Sequence, residues 1–494
     1  MMMSNPKRLH PIAAVANFLK QLKELIVPFV IFVVFGSRGG NGEIIQLVIT
    51  AGILIAVFIF GILSWLRYTY RLEEGELRIE YGVLIRKKRY IPLERIQSLD
   101  LSEGLLQRPF GLVKMKVETA GSSESGDAEA VLTAITRQDA DLIQQAFSSA
   151  KNKSSESMGE IASGIQPRKV IYKISRGQLL LLASTSGGVG VVISAVFAFV
   201  FQFEEIIPYK KVFAGLEGFI ANGVVFVSIL VFIGFLIAWI IALVGSMLKY
   251  ADFTLRKTEK ELIITRGLLE KRQMTIPLHR IQAIQISENL VRQPFGLATV
   301  YIESAGGSLE DNESARVMVL PIVKRSRIAG LLKPHLPEYE LQPGFFKAPK
   351  RALGRYVWRG VLGIMPLVLA PILFFRPWGY FSLLLLVFSL AWSYLKYKDA
   401  GWDISSLQLS LRYRGIIRTT VFMRKNRIQS LTMSESYFQK RRSLATIEAI
   451  AMSGTGGTGG RVPDLDRKEV YAIYKWYSHT GVNRNMPVNN KKRS

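Results

Sequence analysis

Clusters of lysine and arginine are the residues in this sequence whose type and spacing most clearly suggest chemistry. Next to an anionic lipid surface, each such side chain contributes on the order of 1 kcal/mol to binding. The same side chains also suit a protein partner, or form a solvated basic face with no ligand. The candidate contact set is Arg86, Lys87, Lys88, Arg89, Lys271, Arg272, Arg424, Lys425, Lys440, Arg441 and Arg442.

Other kinds of site find little support. The chain has no cysteine, which excludes disulfides, thiolate metal sites, iron–sulfur clusters and cysteine nucleophiles. Its four histidines, His10, His279, His335 and His479, lack the spacing of a metal site. No Ser-His-Asp set or close carboxylate pair stands out. We therefore expect a protein with no cofactor or metal that is not an enzyme.

A glycine-rich stretch, Gly454 to Gly459, formally fits the G-x-G-x-x-G pattern of dinucleotide-binding proteins. That motif requires a strand-to-helix turn, and Pro463 disfavours a helix directly after it. We interpret the stretch as a hairpin loop. Nucleic acid is likewise not expected as a partner, because the net charge of +26 accompanies no nucleic-acid-binding motif.

Long apolar segments must position these residues. A membrane-spanning helix needs roughly 20 apolar residues, and 49% of this chain is hydrophobic. Four runs contain no charged residue, and a fifth contains only Arg359: Ile44–Leu66, Leu179–Phe203, Ala221–Leu248, Gly379–Leu395 and Val357–Phe375. Residues 18–35 predict a sixth span, with Lys20 and Lys23 reaching the interface.

Charge predicts the orientation of these spans. The short connections Gly36–Glu43, Glu204–Gly218 and Arg376–Trp378 carry no net charge together, so the whole excess of +26 lies on the other side of the membrane. Because positive loops face the cytoplasm, we expect a multi-pass protein of the cell membrane with both termini cytoplasmic.

The segments between the hairpins repeat one another. Ile91-Pro92-Leu93-Glu94-Arg95-Ile96-Gln97 recurs as Ile276 to Gln282, and Gln107-Arg108-Pro109-Phe110-Gly111 recurs as Arg292 to Gly296, both displaced by 185 residues. A third, diverged copy keeps Arg427-Ile428-Gln429 but has Arg441-Arg442-Ser443 in place of Pro-Phe-Gly. We infer duplication of a hairpin-plus-domain unit.

Each copy has the pattern of β structure followed by a helix. Glu76–Tyr81 alternates strictly between apolar and polar residues, as a half-buried strand does. Further strands are predicted at Ile96–Leu101, Val113–Ala120 and Ala130–Ile135, and a helix at Gln138–Ala150, with a counterpart from about Lys324. Lys151–Pro167 is typical of a flexible linker.

These motifs resemble the bacterial pleckstrin-homology (PH) domain, and three copies between membrane hairpins resemble the YdbT-like membrane proteins. The resemblance implies a seven-strand bent β-barrel capped by one helix, three times over. It implies little about activity, because PH-like folds serve many binding roles.

The predicted fold is thus a mixed membrane protein with six transmembrane helices in three hairpins, alternating with three PH-like domains. The hairpins are placed at 18–66, 179–248 and 357–395, and the domains at 67–150, 249–335 and 396–478. Linkers at 151–178 and 336–356 and a basic tail at 479–494 complete the chain.

The function expected from this organisation is a non-catalytic scaffold or sensor. Its partners would be the lipid bilayer, with anionic headgroups, and another membrane protein such as a smaller PH-like relative. A role in envelope stress or tolerance to antimicrobial peptides is a further hypothesis. The alternatives are a transporter or export-system accessory, and a lipid-modifying or signalling enzyme.

Overall fold

The computed structural model describes residues 3–19, 21, 42–119, 130–156, 169–185, 223–304, 316–374, 378–452 and 457–478. The chain forms two compact units. Among the described residues, the first unit ends at Arg280 and the second begins at Ile281. Strands in the described chain fall into three sets of seven. The first is β1 Met3–Arg8, β2 Thr69–Glu73, β3 Glu76–Tyr81, β4 Lys87–Pro92, β5 Ile96–Glu103, β6 Leu112–Thr119 and β7 Ala130–Thr136.

The second and third sets follow the same order. The second is β8 Lys169–Lys173, β9 Thr254–Lys257, β10 Glu261–Arg266, β11 Lys271–Pro277, β12 Ile281–Glu288, β13 Leu297–Ser304 and β14 Arg316–Lys324. The third is β15 Phe346–Lys347, β16 Gly401–Ser405, β17 Gln408–Arg414, β18 Arg418–Arg424, β19 Ile428–Ser434, β20 Leu444–Ala451 and β21 Thr458–Asp466. A helix follows the last strand of each set, so seven strands and one helix form the repeating unit that the resemblance implied.

The helices separate or follow these strands. They are α1 Gly42–Leu66, α2 Arg137–Glu156, α3 Arg176–Ser184, α4 Gly223–Tyr250, α5 Arg325–Leu332, α6 Leu353–Phe374, α7 Leu383–Asp399, α8 Tyr437–Arg441 and α9 Arg467–Tyr477. Residues 12–19 are helical too. The helices predicted at Gln138–Ala150 and from Lys324 correspond to α2 and α5.

Three helical segments of the described chain are long and apolar enough to cross a membrane: Phe232–Tyr250, Lys350–Phe374 and Gly379–Asp399. Ile55–Leu66 is a shorter apolar helical segment within α1. Most of the predicted spans at 18–35 and 179–203 lies outside the described residues. The structure therefore provides three candidate spans, where the sequence predicts six.

In the first unit, strands β1 to β4 form one antiparallel sheet, and β7-β6-β5-β11-β10-β9-β8 form a second. Leu77 and Ile79 of the first sheet share a core with Met115, Leu132 and the α2 residue Ile143, all fully buried. The alternation of Glu76–Tyr81 arises because Leu77 and Ile79 face this core. The first domain is therefore two sheets closed by one helix, as the resemblance implied.

In the second unit, β14-β13-β12-β18-β17-β16-β15 form a seven-stranded sheet, and β19-β20-β21 a three-stranded one. Leu411, Ile447 and Ile473 of α9 are buried in a single core. The glycine-rich stretch ends in β21, whose Gly459 pairs with Ile450 of β20. This part of the stretch belongs to a β-hairpin, as its interpretation as a hairpin loop requires, while residues 453–456 lie outside the described chain.

Three strands lie in segments where the sequence suggested none. Strand β1 is in the N-terminal arm, and β8 and β15 lie within the predicted linkers. Each pairs with the first strand after the following apolar helices: β1 with β2, β8 with β9, and β15 with β16. These strands are short and lack a clear apolar alternation, because backbone hydrogen bonds to one neighbour hold them at a sheet edge.

Candidate membrane-facing surface

The turn between the third and fourth strands of each domain lies beside the end of an apolar helix. In the first domain, Arg67, just after α1, donates a hydrogen bond to the carbonyl oxygen of Val83 at 2.6 Å. In the second, the amide of Leu268 donates to the carbonyl oxygen of Leu248 in α4 at 2.9 Å. Both turns are therefore fixed where a helix ends.

The third domain has the same arrangement with different contacts. Arg412 Nε, in β17, donates to the carbonyl oxygen of Asp399 at 2.9 Å, and Asp399 is the last residue of α7. Its carboxylate also pairs with Arg414 and Arg418, which flank the β17–β18 turn. This turn is therefore tied by charge to the end of a candidate span.

Glycine shapes the first two turns. Gly82 and Gly267 have φ of 111° and 101°, in the left-handed region. A Cβ at Gly267 would lie 2.0 Å from the carbonyl oxygen of Glu270, so a larger residue would open the turn.

Large apolar side chains project from these turns. Leu84 is 90% exposed and Ile416 is 75% exposed, and Ile85, Leu268 and Leu269 are exposed as well. An exposed apolar patch beside the end of an apolar helix is typical of a surface that meets a membrane.

The Pro-Phe-Gly element forms a second exposed apolar point. Phe110 is 60% exposed and Phe295 is 70% exposed, each followed by a glycine with φ of 63°. In the third copy Ser443 adopts nearly the same backbone conformation, with φ of 49°, and exposed Arg442 takes the place of the phenylalanine. The divergence of this copy therefore changes the exposed side chain and keeps the turn.

This element lies close to the turns described above. Arg108 of the first domain donates to the carbonyl oxygen of Leu268 in the turn of the second. Arg414, next to the turn of the third domain, donates to Gln293 of the second. In the third domain, Arg351 before α6 donates to the carbonyl oxygen of Ser443 at 3.2 Å. Each Pro-Phe-Gly element or its counterpart is thus held near the end of a candidate span or near a turn that adjoins one.

A buried polar side chain anchors the same element. Arg292 donates to Thr299 at 2.8 Å, and Gln439 donates to Thr446 at 2.9 Å. The position that the repeat assigns to Gln107, Arg292 and Gln439 therefore carries a structural role.

Part of the predicted basic set lies on this surface. Arg86 follows the exposed Leu84 and Ile85 and pairs with Glu80, which also lies 3.8 Å from Lys88. Lys87 is exposed at the start of β4, and Arg89 lies over the ring of Tyr81. Lys271 is exposed at the start of β11, and Arg272 pairs with Glu270 at 2.9 Å.

The third-domain clusters separate into two places. Arg424 pairs with Glu338, and Lys425 lies 5.3 Å from the ring of Trp476, both at the end of β18 distant from the Ile416 turn. That strand is seven residues long, so the two ends are about 20 Å apart. Lys440, Arg441 and Arg442 are exposed beside Ser443, near the start of α6. The structure therefore does not bring all the predicted cations together.

One cavity opens on this surface, at the end of α4. It has a volume of about 310 Å³ and is lined by Leu248, Lys249, Arg266, Leu269, Glu270 and Arg272. Three cations and one carboxylate give it a positive balance, and the two leucines supply an apolar wall. Such a lining suits a phosphate headgroup with the start of its acyl chains. Among the described residues, no group of three or more His, Asp or Glu side chains is placed to hold a metal.

Sequence reasoning missed the apolar part of this surface and two of the cavity's cations, Lys249 and Arg266. The apolar part could have been predicted from the sequence, because Val-Leu-Ile at 83–85 follows a turn glycine, where polar residues are usual. Lys249 and Arg266 could not be found by clustering, because the fold brings them to Arg272 from separate elements.

Comparison with known proteins decides the family. A sequence profile described as "Bacterial PH domain" matches residues 23–151, 211–335 and 360–480, most of the chain. Over 492 residues the chain is 40% identical to the UPF0699 transmembrane protein YdbT of Bacillus subtilis (strain 168), covering 97% of this chain and 99% of that protein. The chain belongs to the YdbT-like family. It is thus a membrane protein with three bacterial PH domains.

A shorter relative shares part of this organisation. The UPF0699 transmembrane protein YdbS of the same organism is 26% identical over 97 residues, which cover 20% of this chain and 57% of YdbS. About a fifth of the chain therefore matches this shorter relative.

Proposed function

We propose that this YdbT-like protein is a non-catalytic component of the cell membrane whose bacterial PH domains contact the lipid surface. The observation that carries the proposal is the exposed apolar turn beside a helix end, found in all three domains. Leu84, Leu268 and Ile416 occupy these turns, and in the first two domains an exposed cation follows: Arg86 or Lys271. Apolar tips with flanking cations favour insertion into the interface of an anionic membrane.

Six membrane spans, with both termini in the cytoplasm, complete this proposal. The three candidate spans of the structure and the three further apolar stretches of the sequence support it. Arg359, the charged residue of the predicted span 357–375, pairs with the fully buried Asp464 at the edge of the third domain. This pairing favours anchoring of a domain to its helix over an ion pathway within the membrane.

The basic cavity at the end of α4 would hold the phosphate of an anionic headgroup. Lys249 and Arg272 would supply charge-assisted hydrogen bonds, and Leu269 would contact the acyl chain. The domains would thereby act as a scaffold whose position depends on the surrounding lipid.

Insertion of the turns can be measured on the full chain, because a cysteine-free protein accepts a single labelled cysteine. Leu84→Cys carrying an environment-sensitive nitrobenzoxadiazole dye is reconstituted into vesicles of phosphatidylcholine and phosphatidylglycerol. We expect blue-shifted emission and quenching by lipids brominated near the headgroup end of the acyl chain, because the turn lies in the interface.

Glu94→Cys is the matched control. Glu94 is exposed at the other end of β4, about 20 Å from the turn, and its label should emit as in water. Equal emission and quenching from the two labels would contradict the proposed function.

A further inference from the structure

Consecutive domains of this chain join by extending one sheet into the next. Strand β5 of the first domain pairs antiparallel with β11 of the second, Leu101 opposite Gln273 and Glu103 opposite Lys271. Strand β12 of the second pairs antiparallel with β18 of the third, from Ala283 opposite Met423 to Glu288 opposite Arg418. In both junctions a fifth strand adds to the fourth strand of the following domain.

The two junctions have the same register. Glu103 and Glu288 are each the eighth residue of their strand, counted from Ile96 and Ile281. Each faces the first residue of the partner strand, which is a cation: Lys271 or Arg418. Arg418 forms an ion pair with Glu288, so opposite charge accompanies this register.

The same glutamates hold the helix of their own domain. Arg137, the first residue of α2, pairs with Glu103 at 2.8 Å. Arg325, the first residue of α5, pairs with Glu288 at 2.8 Å. Glu288 therefore pairs with both its own helix and the next domain, while Glu103 pairs with its own helix and stands opposite Lys271 of the next domain.

One fourth strand and one fifth strand of the described chain have a neighbour on one side only. Strand β4 pairs with β3, and β19 pairs with β20, each on one side. They are the fourth strand of the first domain and the fifth strand of the third. Among the described strands, none from another copy of the repeat pairs with β4 or with β19.

The charges of the junction are present at both edges. Glu435 stands at the position of Glu103 and Glu288, seven residues after Ile428, and lies 3.3 Å from Arg467, the first residue of α9. The atom that Arg467 pairs with is Oε1 of Glu435, which is buried and accepts no hydrogen bond from the described residues. Arg86, six residues before Pro92, matches Lys271, six residues before Pro277, and is exposed.

We propose that β19 of one copy of this chain adds antiparallel to β4 of a second copy, with Glu435 facing Arg86. In both internal junctions, the partner of a fourth strand is the fifth strand of another domain. A single chain carries one edge strand of each kind, β4 and β19, so two copies can form the same contact. The cations of β4 do not oppose pairing, since β11 and β18 begin with cations and are paired. A head-to-tail contact of this kind builds closed rings or open rows.

The register predicts which residues of two copies meet. Ser102 faces Arg272 in the first junction, so Ser434 of one copy should face Lys87 of the other. Residues opposite each other in antiparallel strands have Cα atoms about 4.5–5.5 Å apart, within the range that a disulfide bridges.

The test co-expresses two full-length chains with different tags, Ser434→Cys in one and Lys87→Cys in the other. Native membranes are oxidised, and adducts are isolated through both tags in succession. We expect a disulfide-linked species of twice the chain mass of 55.5 kDa. Because each chain has one cysteine, that species can form only between copies.

Ser430→Cys replaces Ser434→Cys as the control, since Ser430 is also exposed and lies in the same strand, four residues out of register. Equal adduct from both pairs, or none from either, overturns the proposal. So does a Ser434 cysteine that links instead to a different PH-domain protein.

Charge exchange tests the same register without cysteines. Arg86→Glu in both tagged chains should abolish their co-purification, and Glu435→Arg added to one of the two chains should restore it. Unchanged co-purification in Arg86→Glu, or failure of the exchange to restore it, counts against the paired strands.

Discussion

At the scale of residues, the cavity at the end of α4 is lined by three cations that lie on different elements of the chain. Lys249 comes from the end of α4, Arg266 from β10 and Arg272 from β11. Arg272 is predicted from the sequence because it belongs to an adjacent pair of cations, Lys271 and Arg272. The others could not be predicted, because their proximity depends on how the β10–β11 hairpin packs against the helix end.

Removing two charges from this cavity should weaken binding of an anionic lipid. The combined variant Lys249→Gln, Arg272→Gln should lower the affinity of the detergent-purified chain for phosphatidylglycerol by roughly fivefold per charge, since each charge contributes on the order of 1 kcal/mol. Native mass spectrometry of the bound lipid provides the measurement. Arg424→Gln, which removes a cation paired with Glu338 away from the turns, should leave the bound fraction unchanged. Equal losses in both variants would mean that only net charge matters.

At the scale of elements, Glu288 connects three of them. From β12 it pairs with Arg325 of α5 and Arg418 of β18, and it is 2% exposed. Burial alone would raise the pKa of Glu288, but the hydrogen bonds and charges of Arg418 and Arg325 outweigh burial and hold the pKa below its ordinary value. The second domain's junction to the third therefore depends on an ionised carboxylate.

This lowered pKa predicts the direction of a pH effect on stability. The folded state favours ionised Glu288, so its contribution is present above the unfolded-state pKa of about 4.3 and is lost as the pH falls through the lower folded-state pKa. Glu288→Gln leaves two arginines without their charged partner and should lower the free energy of unfolding by about 3 kcal/mol at pH 7. Unfolding of the full chain in detergent, followed by tryptophan fluorescence, measures this difference.

The difference between Glu288→Gln and the unmodified chain should shrink below about pH 4. Glu80→Gln is the matched control, because Glu80 pairs with the exposed Arg86 and should change stability by about 1 kcal/mol or less. A difference for Glu288→Gln that is independent of pH would mean that packing, and not charge, explains its effect.

The sequence predicted those elements whose pattern is local. Strands such as Glu76–Tyr81 and the helix after Ala130–Ile135 follow from alternation and from turn residues, and the 185-residue repeat transfers them to the second domain. Strands β1, β8 and β15 were missed because sheet pairing, not side-chain pattern, forms them. The pairing of β5 with β11 could not be predicted either, since the partners are about 170 residues apart in sequence.

At the scale of the whole molecule, the proposed topology places one short connection of each hairpin outside the cell and every bacterial PH domain inside it. A single cysteine tests this in the cysteine-free chain. Tyr209→Cys, in the connection 204–218, should react with a membrane-impermeant maleimide in intact spheroplasts, because the positive-inside rule leaves a connection without positive net charge outside. Ser123→Cys, in the first domain, should react only after the membrane is permeabilised. The reverse pattern would place the domains, their apolar turns and the basic cavity outside the cell. It would contradict the orientation that the positive-inside rule predicts.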